Sequence, residues 1–268
     1  YGILESINLL IPRFMGGASS DRISDDSKLM DFIKTLDPQQ GQQIFQYSRL
    51  YWGDQPIVAA PAYIGASILF IFFLGLLLVK NINMNWIIPS IIVSLILSWG
   101  KNFEILTNLM ISYFPFYDKF RAVSSIQVIL EFCIPFLAVY GLYKFFSKNI
   151  DNEKKIKALY ILTAVLSFFI LIIYFFGNNL FEFKSNFEIF SQYPNILNLL
   201  IEDRKAVLKS DAIRSLIIIL VLFVILLSYL KNILNKNLAI YGIIFIVLID
   251  LWSVNKQYVN ADQFVTKS

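Results

Sequence analysis

Apolar residues in this chain of 268 residues are gathered into long unbroken runs, with charge confined to the stretches between them. Six runs read as membrane-crossing helices, at about 61–79, 86–99, 123–146, 158–176, 213–230 and 238–252. The first, at about 1.5 Å per residue, is roughly 28 Å long and matches a hydrocarbon core. The second is short and holds Pro89, but Trp86 and Trp99 bracket it as aromatic belts bracket a span. The third carries Glu131 and Pro135. An ionisable group that far into a span is costly in lipid, so Glu131 is expected to face the bundle interior, a cavity or a basic partner such as Lys101 or Arg121.

Residues 1–60 have a different texture. Asp25-Asp26-Ser27 supplies helix-capping side chains ahead of Leu29, Met30, Phe32, Ile33 and Leu36, so a short helix is expected from near Asp26 to before Pro38. A second follows from Gln40 to about Tyr51, and Trp52-Gly53-Asp54-Gln55-Pro56 turns the chain toward the first span. Between spans two and three, residues 98–125 place Phe103, Leu106, Leu109, Met110, Tyr113 and Phe114 on one helical face and Glu104, Thr107, Asn108 and Ser112 on the other, the pattern of a helix in the interface plane. Between spans four and five, residues 177–212 are too long for a turn and too polar to cross; a second interfacial or surface helix is expected there, with Asp211 capping the next span. The fold class is therefore an all-α integral membrane protein of about six transmembrane helices (residues 61–252). Residues 1–60 form an extracytoplasmic segment, and 253–268 begin an extracytoplasmic C-terminal region.

Charge sets the expected orientation. Short links around Lys80, at 144–157 and at 231–236 carry eight lysines against Asp151 and Glu153, which assigns them to the cytoplasm. The longer segments and all six arginines then face outward. The net charge of +4 is explained by topology and gives no support to nucleic-acid binding. With no histidine, neither a histidine base nor a histidine-ligated metal can lie within these residues, and the lone Cys133 reads as a small buried hydrophobe. The sequence opens on Tyr1 and closes in a polar stretch, and is expected to be an internal fragment of a longer protein.

Several strings resemble, in the same order, the bacterial YfhO-type membrane proteins: Leu9-Leu10-Ile11-Pro12-Arg13-Phe14-Met15-Gly16-Gly17, Tyr51-Trp52-Gly53-Asp54-Gln55-Pro56, Leu97-Ser98-Trp99-Gly100-Lys101-Asn102, Tyr117-Asp118-Lys119-Phe120-Arg121-Ala122-Val123-Ser124 and Asp250-Leu251-Trp252. That family resembles multi-span glycosyltransferases that move a sugar from a polyprenyl-phosphate carrier to an acceptor outside the cytoplasmic membrane. The resemblance implies membrane lipid, a polyprenyl-phosphate-linked sugar and a cell-envelope acceptor as partners, and a bacterial cytoplasmic-membrane location. It also implies a catalytic carboxylate in an earlier outward-facing loop, so no catalytic residue is assigned here. No cofactor is assigned either, and any divalent metal is expected to bind outside this fragment.

Transfer from a lipid phosphate needs cations for the leaving phosphate and a carboxylate for the acceptor's proton. Lys101, Lys119 and Arg121 meet the first demand by position, although headgroup snorkelling selects the same residues. Arg204, Lys205 and Arg214 form a second basic group, unless Asp203 and Asp211 simply pair with them. Asp54 and Glu131 are the candidate carboxylates, Asp54 with the simpler role of bonding backbone amides in its turn. Asp25 and Asp26 read as a helix cap. Tyr51, Trp52, Trp99, Tyr113, Phe116 and Tyr117 are the aromatic residues placed to line a sugar or isoprenoid groove. Competing readings are a transporter or lipid flippase, for which several intramembrane charges are expected, and a non-catalytic scaffold for an extracytoplasmic domain.

Overall fold

A computed structural model describes residues 1–79, 86–119 and 122–259. Lys80, Arg121 and residues 260–268 lie outside the described residues. The chain begins with a 3₁₀ turn, Leu4–Leu9, followed by α1 (Lys28–Ile33) and α2 (Pro38–Tyr47). The cap of α1 is Ser27, whose hydroxyl oxygen accepts from the Met30 N–H at 3.1 Å. Asp37 caps α2 by accepting from the Gln39 N–H at 3.1 Å, with Pro38 at the first helical position, where its missing N–H costs nothing. Next come α3 (Ala66–Leu78), α4 (Ile87–Ser98) and α5 (Glu104–Tyr113). The remaining helices are α6 (Gln127–Phe146), α7 (Asn152–Leu180), α8 (Pro194–Leu230) and α9 (Lys236–Tyr258). Among the described residues the β-structure is one antiparallel bridge, between Arg22 and Arg49.

Among the described residues, four helices are long and apolar enough to cross a membrane: Val123–Phe146, which joins a 3₁₀ turn to α6, together with α7, α8 and α9. At 13 and 12 residues, α3 and α4 are apolar but shorter, about 20 and 18 Å against a core of about 30 Å. The short α3 is nevertheless the centre of the bundle, touching α6, α7, α8 and α9. Its Phe70, Leu74 and Ala66 are fully or almost fully buried. It meets α6 backbone to backbone: a Cβ placed on Gly141 would lie 2.6 Å from the Gly75 Cα. Large apolar side chains on the outer faces of the long helices, among them Phe132, Phe168, Phe245 and Trp252, are exposed. That inside-out distribution suits a lipid environment.

The structure departs from the sequence expectations along α8 and at Glu131. Residues 177–212 do not form a loop with its own separate helix. α7 runs on to Leu180, and α8 is continuous for 37 residues from Pro194, a rod of about 55 Å. Asp211 therefore lies inside the helix and caps nothing. Charge along this stretch reads as a loop signal in sequence, but its acids and arginines find partners elsewhere in the chain, so the helix continues through them. Glu131, expected to face the interior, is exposed. The buried stripe of α6 passes through Leu130, Ile134, Leu137, Gly141 and Phe145, and Glu131 is one residue on from Leu130, about 100° round the helix. No ion pair joins Glu131 to Lys101, and Arg121 lies outside the described residues.

The N-terminal part of α8 supports a small separate core. Leu197 and Leu200 pack with Ile23, Leu29, Ile33, Leu50 and Phe190. Asp203 accepts from the Lys28 and Leu29 N–H groups at 2.9 and 3.1 Å, so α8 satisfies the free amides at the start of α1. The head formed by residues 1–60 and 181–212 is thus built around the same rod that enters the bundle. Cys133 is buried, as its apolar surroundings require.

Candidate functional site

The arginines singled out in α8 are held by protein partners. Arg204 is buried; its Nη1 donates to the Glu188 carboxylate and the Phe183 carbonyl, both at 2.7 Å, and its Nη2 to the Arg49 carbonyl at 2.8 Å. It ties the 181–193 connection and the end of the N-terminal segment to the rod. Ten residues on, Arg214 donates from Nη2 to Asp250 Oδ1 at 2.9 Å, to the Asp250 carbonyl at 2.6 Å and to the Ser253 hydroxyl at 2.6 Å, locking α8 to α9. Lys205 lies over the Phe183 ring, 5.8 Å from its centroid. Pairing with acids was the alternative for this group, but the acids are Glu188 and Asp250; Asp203 serves α1, and Asp211 is held by Arg13. Lys101 and Lys119 are exposed, Lys119 in an ion pair with Asp118 at 2.7 Å.

The turn at residues 51–55 is organised by an acid that sequence reasoning passed over. Glu5 is fully buried and accepts from the Tyr51 hydroxyl, the Gly2 N–H at 3.1 Å, the Asp54 N–H at 2.9 Å and the Gln55 side-chain amide at 2.7 Å. Four donors replace water around the carboxylate, so it can be buried without a cation. The amide-binding role expected of Asp54 belongs to Glu5. The Asp54 carboxylate instead accepts from the Asn186 side chain at 3.3 Å. Burial, and then the bond to Glu5, push the Tyr51 hydroxyl well above its ordinary range. That hydroxyl stays a protonated donor at neutral pH. Glu5 is the one charged residue among residues 1–12, and its only sequence signal is that isolation.

Two recesses flank the strip 57–59. One, of about 230 Å³, lies where the strip approaches the starts of α3 and α6. Among the described residues its polar lining is Tyr1, Asn8, Tyr51, Gln55, Ser124 and Gln127, with no charged side chain. Of the aromatic residues expected to line a groove, Tyr51 is the one that borders it. The other recess, of about 450 Å³, is lined by Ser19, Ser20, Arg22, Gln46 and Arg49 on the opposite side of the strip. Ser19 fixes the strip between them: its N–H donates to the Val58 carbonyl at 2.9 Å, and its hydroxyl accepts from the Val58 N–H at 2.8 Å.

No family model, curated protein or solved structure matches this chain. Amide and hydroxyl groups around a neutral recess suit a ligand rich in hydroxyls, since each can both donate and accept. Among the described residues, no group of three or more Cys, Asp or Glu side chains is placed to hold a metal ion. What the neutral recess can do alone is bind and orient.

Proposed function

We propose that this chain is part of a YfhO-type bacterial membrane glycosyltransferase, binding a polyprenyl-phosphate-linked sugar at the outer face of the cytoplasmic membrane for transfer to a cell-envelope acceptor. The observation that carries the reading is the neutral recess of Tyr51, Gln55 and Gln127, set where the apolar helices α3 and α6 begin. A glycosyl group there would keep its hydroxyls on amides while an isoprenoid tail follows the exposed apolar surface of the bundle. In this arrangement all six apolar helices cross the bilayer. α3 completes its crossing with the non-helical residues 61–65, whose Ile64 and Gly65 are buried in protein, the condition under which irregular backbone is tolerated at that depth. The lysine-bearing links face the cytoplasm, both ends of the chain lie outside, and α5 rests in the interface with Tyr113 and Phe114 exposed to it.

In the intact protein, Ser124→Ala combined with Gln127→Ala, which leaves the donors to Glu5 in place, is expected to lower sugar transfer to the acceptor without lowering the amount of protein in the membrane. Full glycosylation by the double variant would remove the recess from the reaction. Thiols introduced at Ser125 and Asn235 test the orientation: labelling from outside intact cells is expected at 125 and not at 235, and the reverse result overturns it.

A further inference from the structure

We infer that Arg22 and Arg49 form a binding site for a phosphoryl group, in the 450 Å³ groove across the strip from the neutral recess. The site stands on its own geometry, independent of glycosyl transfer. Arg22 and Arg49 are opposed in an antiparallel bridge. The bond beside the pair, from the Leu50 N–H to the Asp21 carbonyl at 2.9 Å, marks it as the narrow, non-hydrogen-bonded kind. In that register facing Cα atoms lie about 4.5 Å apart and the side chains come closest. Like charges placed directly opposite on a β-ribbon destabilise it. Both side chains are exposed, and neither has an ion-pair partner among the described residues. Among the described residues no carboxylate lines the groove, whereas Ser19, Ser20 and Gln46 do. Two forks of N–H donors beside hydroxyl and amide groups match the geometry of phosphate oxygens, and an anion there would cancel the repulsion built into the bridge.

The scaffold around the pair is fixed. Arg22 lies over the Phe45 ring, its guanidinium carbon 5.4 Å from the centroid. The Arg49 carbonyl is held by Arg204, and the opposite wall of the groove is held by the Ser19 bonds to Val58. The backbone that carries both arginines is therefore held whether or not an anion is bound.

The test uses the full chain in phosphatidylcholine nanodiscs, titrated with inorganic diphosphate by calorimetry at low and at physiological salt. Saturable binding that weakens with salt is expected, and Arg22→Ala with Arg49→Ala is expected to weaken it by roughly tenfold or more. Lys148→Ala with Lys157→Ala removes the same charge from exposed positions elsewhere and is expected to leave binding intact. Arg22→Lys with Arg49→Lys retains the charge but not the fork and is expected to fall between. Without ligand, the alanine pair should melt no lower than the parent, and diphosphate should raise the melting temperature of the parent alone. Absence of saturable binding, parent-like affinity in the alanine pair, or equal weakening by the lysine control would each overturn the assignment. Should the alanine pair fold poorly, Arg49→Gln alone gives the same comparison. Repeating the titration in discs containing phosphatidylglycerol separates the two sources of such a group: lost diphosphate binding identifies a lipid headgroup, and retained binding a soluble phosphate.

Discussion

Arg13 and Asp211 meet across 198 positions of sequence through three bonds, from the Arg13 Nε at 2.9 Å, its Nη2 at 2.7 Å and its backbone N–H at 3.0 Å. The Asp211 side chain is 4% exposed and that of Arg13 25%. The pair joins the start of the chain to the middle of α8, at the level where head becomes bundle. Its two halves should respond unequally to removal. Arg13→Ala leaves a buried carboxylate with one backbone donor and should cost about 3 kcal/mol, because an uncompensated buried charge is the expensive product. Asp211→Ala leaves a guanidinium that can turn to water and should cost less. The double variant should recover part of the Arg13→Ala loss, as measured by denaturant unfolding in detergent. Equal single losses that add in the double variant would show that the pair is energetically uncoupled.

Asp250 is predicted to be the more sensitive acid. It is fully buried and accepts from the Ser67 N–H at 2.9 Å, the Ser67 hydroxyl at 2.6 Å, the Tyr63 hydroxyl and Arg214. One carboxylate thus joins α9 to the entry of α3 and to α8. Asp250→Asn replaces an accepting oxygen with a donor facing other donors, and should cost about 3 kcal/mol. Tyr63→Phe removes one bond and should cost about 1 kcal/mol. Hydrogen exchange should locate the damage, with faster exchange in α9 and at the Ser67 amide. A loss confined to α8 would contradict this account.

These contacts explain which parts of the fold can be read from sequence. Apolar runs are local signals, and they suffice to place α3, α4, α6, α7 and α9. Ser27 marks the start of α1 for the same reason, whereas α2, expected from Gln40 to about Tyr51, runs from Pro38 to Tyr47 because Asp37 caps it. The N-terminal half of α8 is hidden because its charges imitate a loop, and what neutralises them comes from Arg13, Glu188 and Asp250. Of the seven site candidates, Arg204 and Arg214 are held in such pairs, and Arg121 lies outside the described residues. Arg22 and Arg49 carry no motif at all; only the bridge that opposes them makes them a pair.

The contact between α3 and α6 makes a steric prediction. A Cβ on Gly75 would lie 2.9 Å from the Gly141 Cα, and one on Gly141 would lie 2.6 Å from the Gly75 Cα. These are backbone atoms, so the helices themselves must separate to admit a side chain. Gly141→Ala should cost roughly 1–3 kcal/mol, the usual penalty for overpacking, and Gly141→Leu should exceed it. Thermal melting in detergent checks the order, and an unchanged melting temperature for Gly141→Leu would rule out the close approach. Because α3 also touches α7, α8 and α9, the loss should appear as a lower global transition rather than fraying of α6 alone.

The Tyr51 hydroxyl gives a pH dependence whose sign is fixed. Burial and the Glu5 bond raise its folded pKa above the unfolded value, which is about 10. Its contribution is therefore fully present below about pH 10 and is lost as pH rises through the folded pKa, since the unfolded chain ionises first. Tyr51→Phe should be less stable than the parent by about 1 kcal/mol at about pH 8, the bond to Glu5 having gone. Above about pH 10 the parent should lose stability toward the variant by up to about 1.4 kcal/mol per pH unit from this one group. Other groups titrate alike in both proteins, so the informative quantity is the difference between them. Denaturant midpoints between about pH 8 and about pH 11.5 should therefore converge and then cross, at roughly pH 10.7. A difference that stays constant across that range would mean that Tyr51 ionises as easily in the folded head as in the open chain, and that Glu5 does not hold its proton in place.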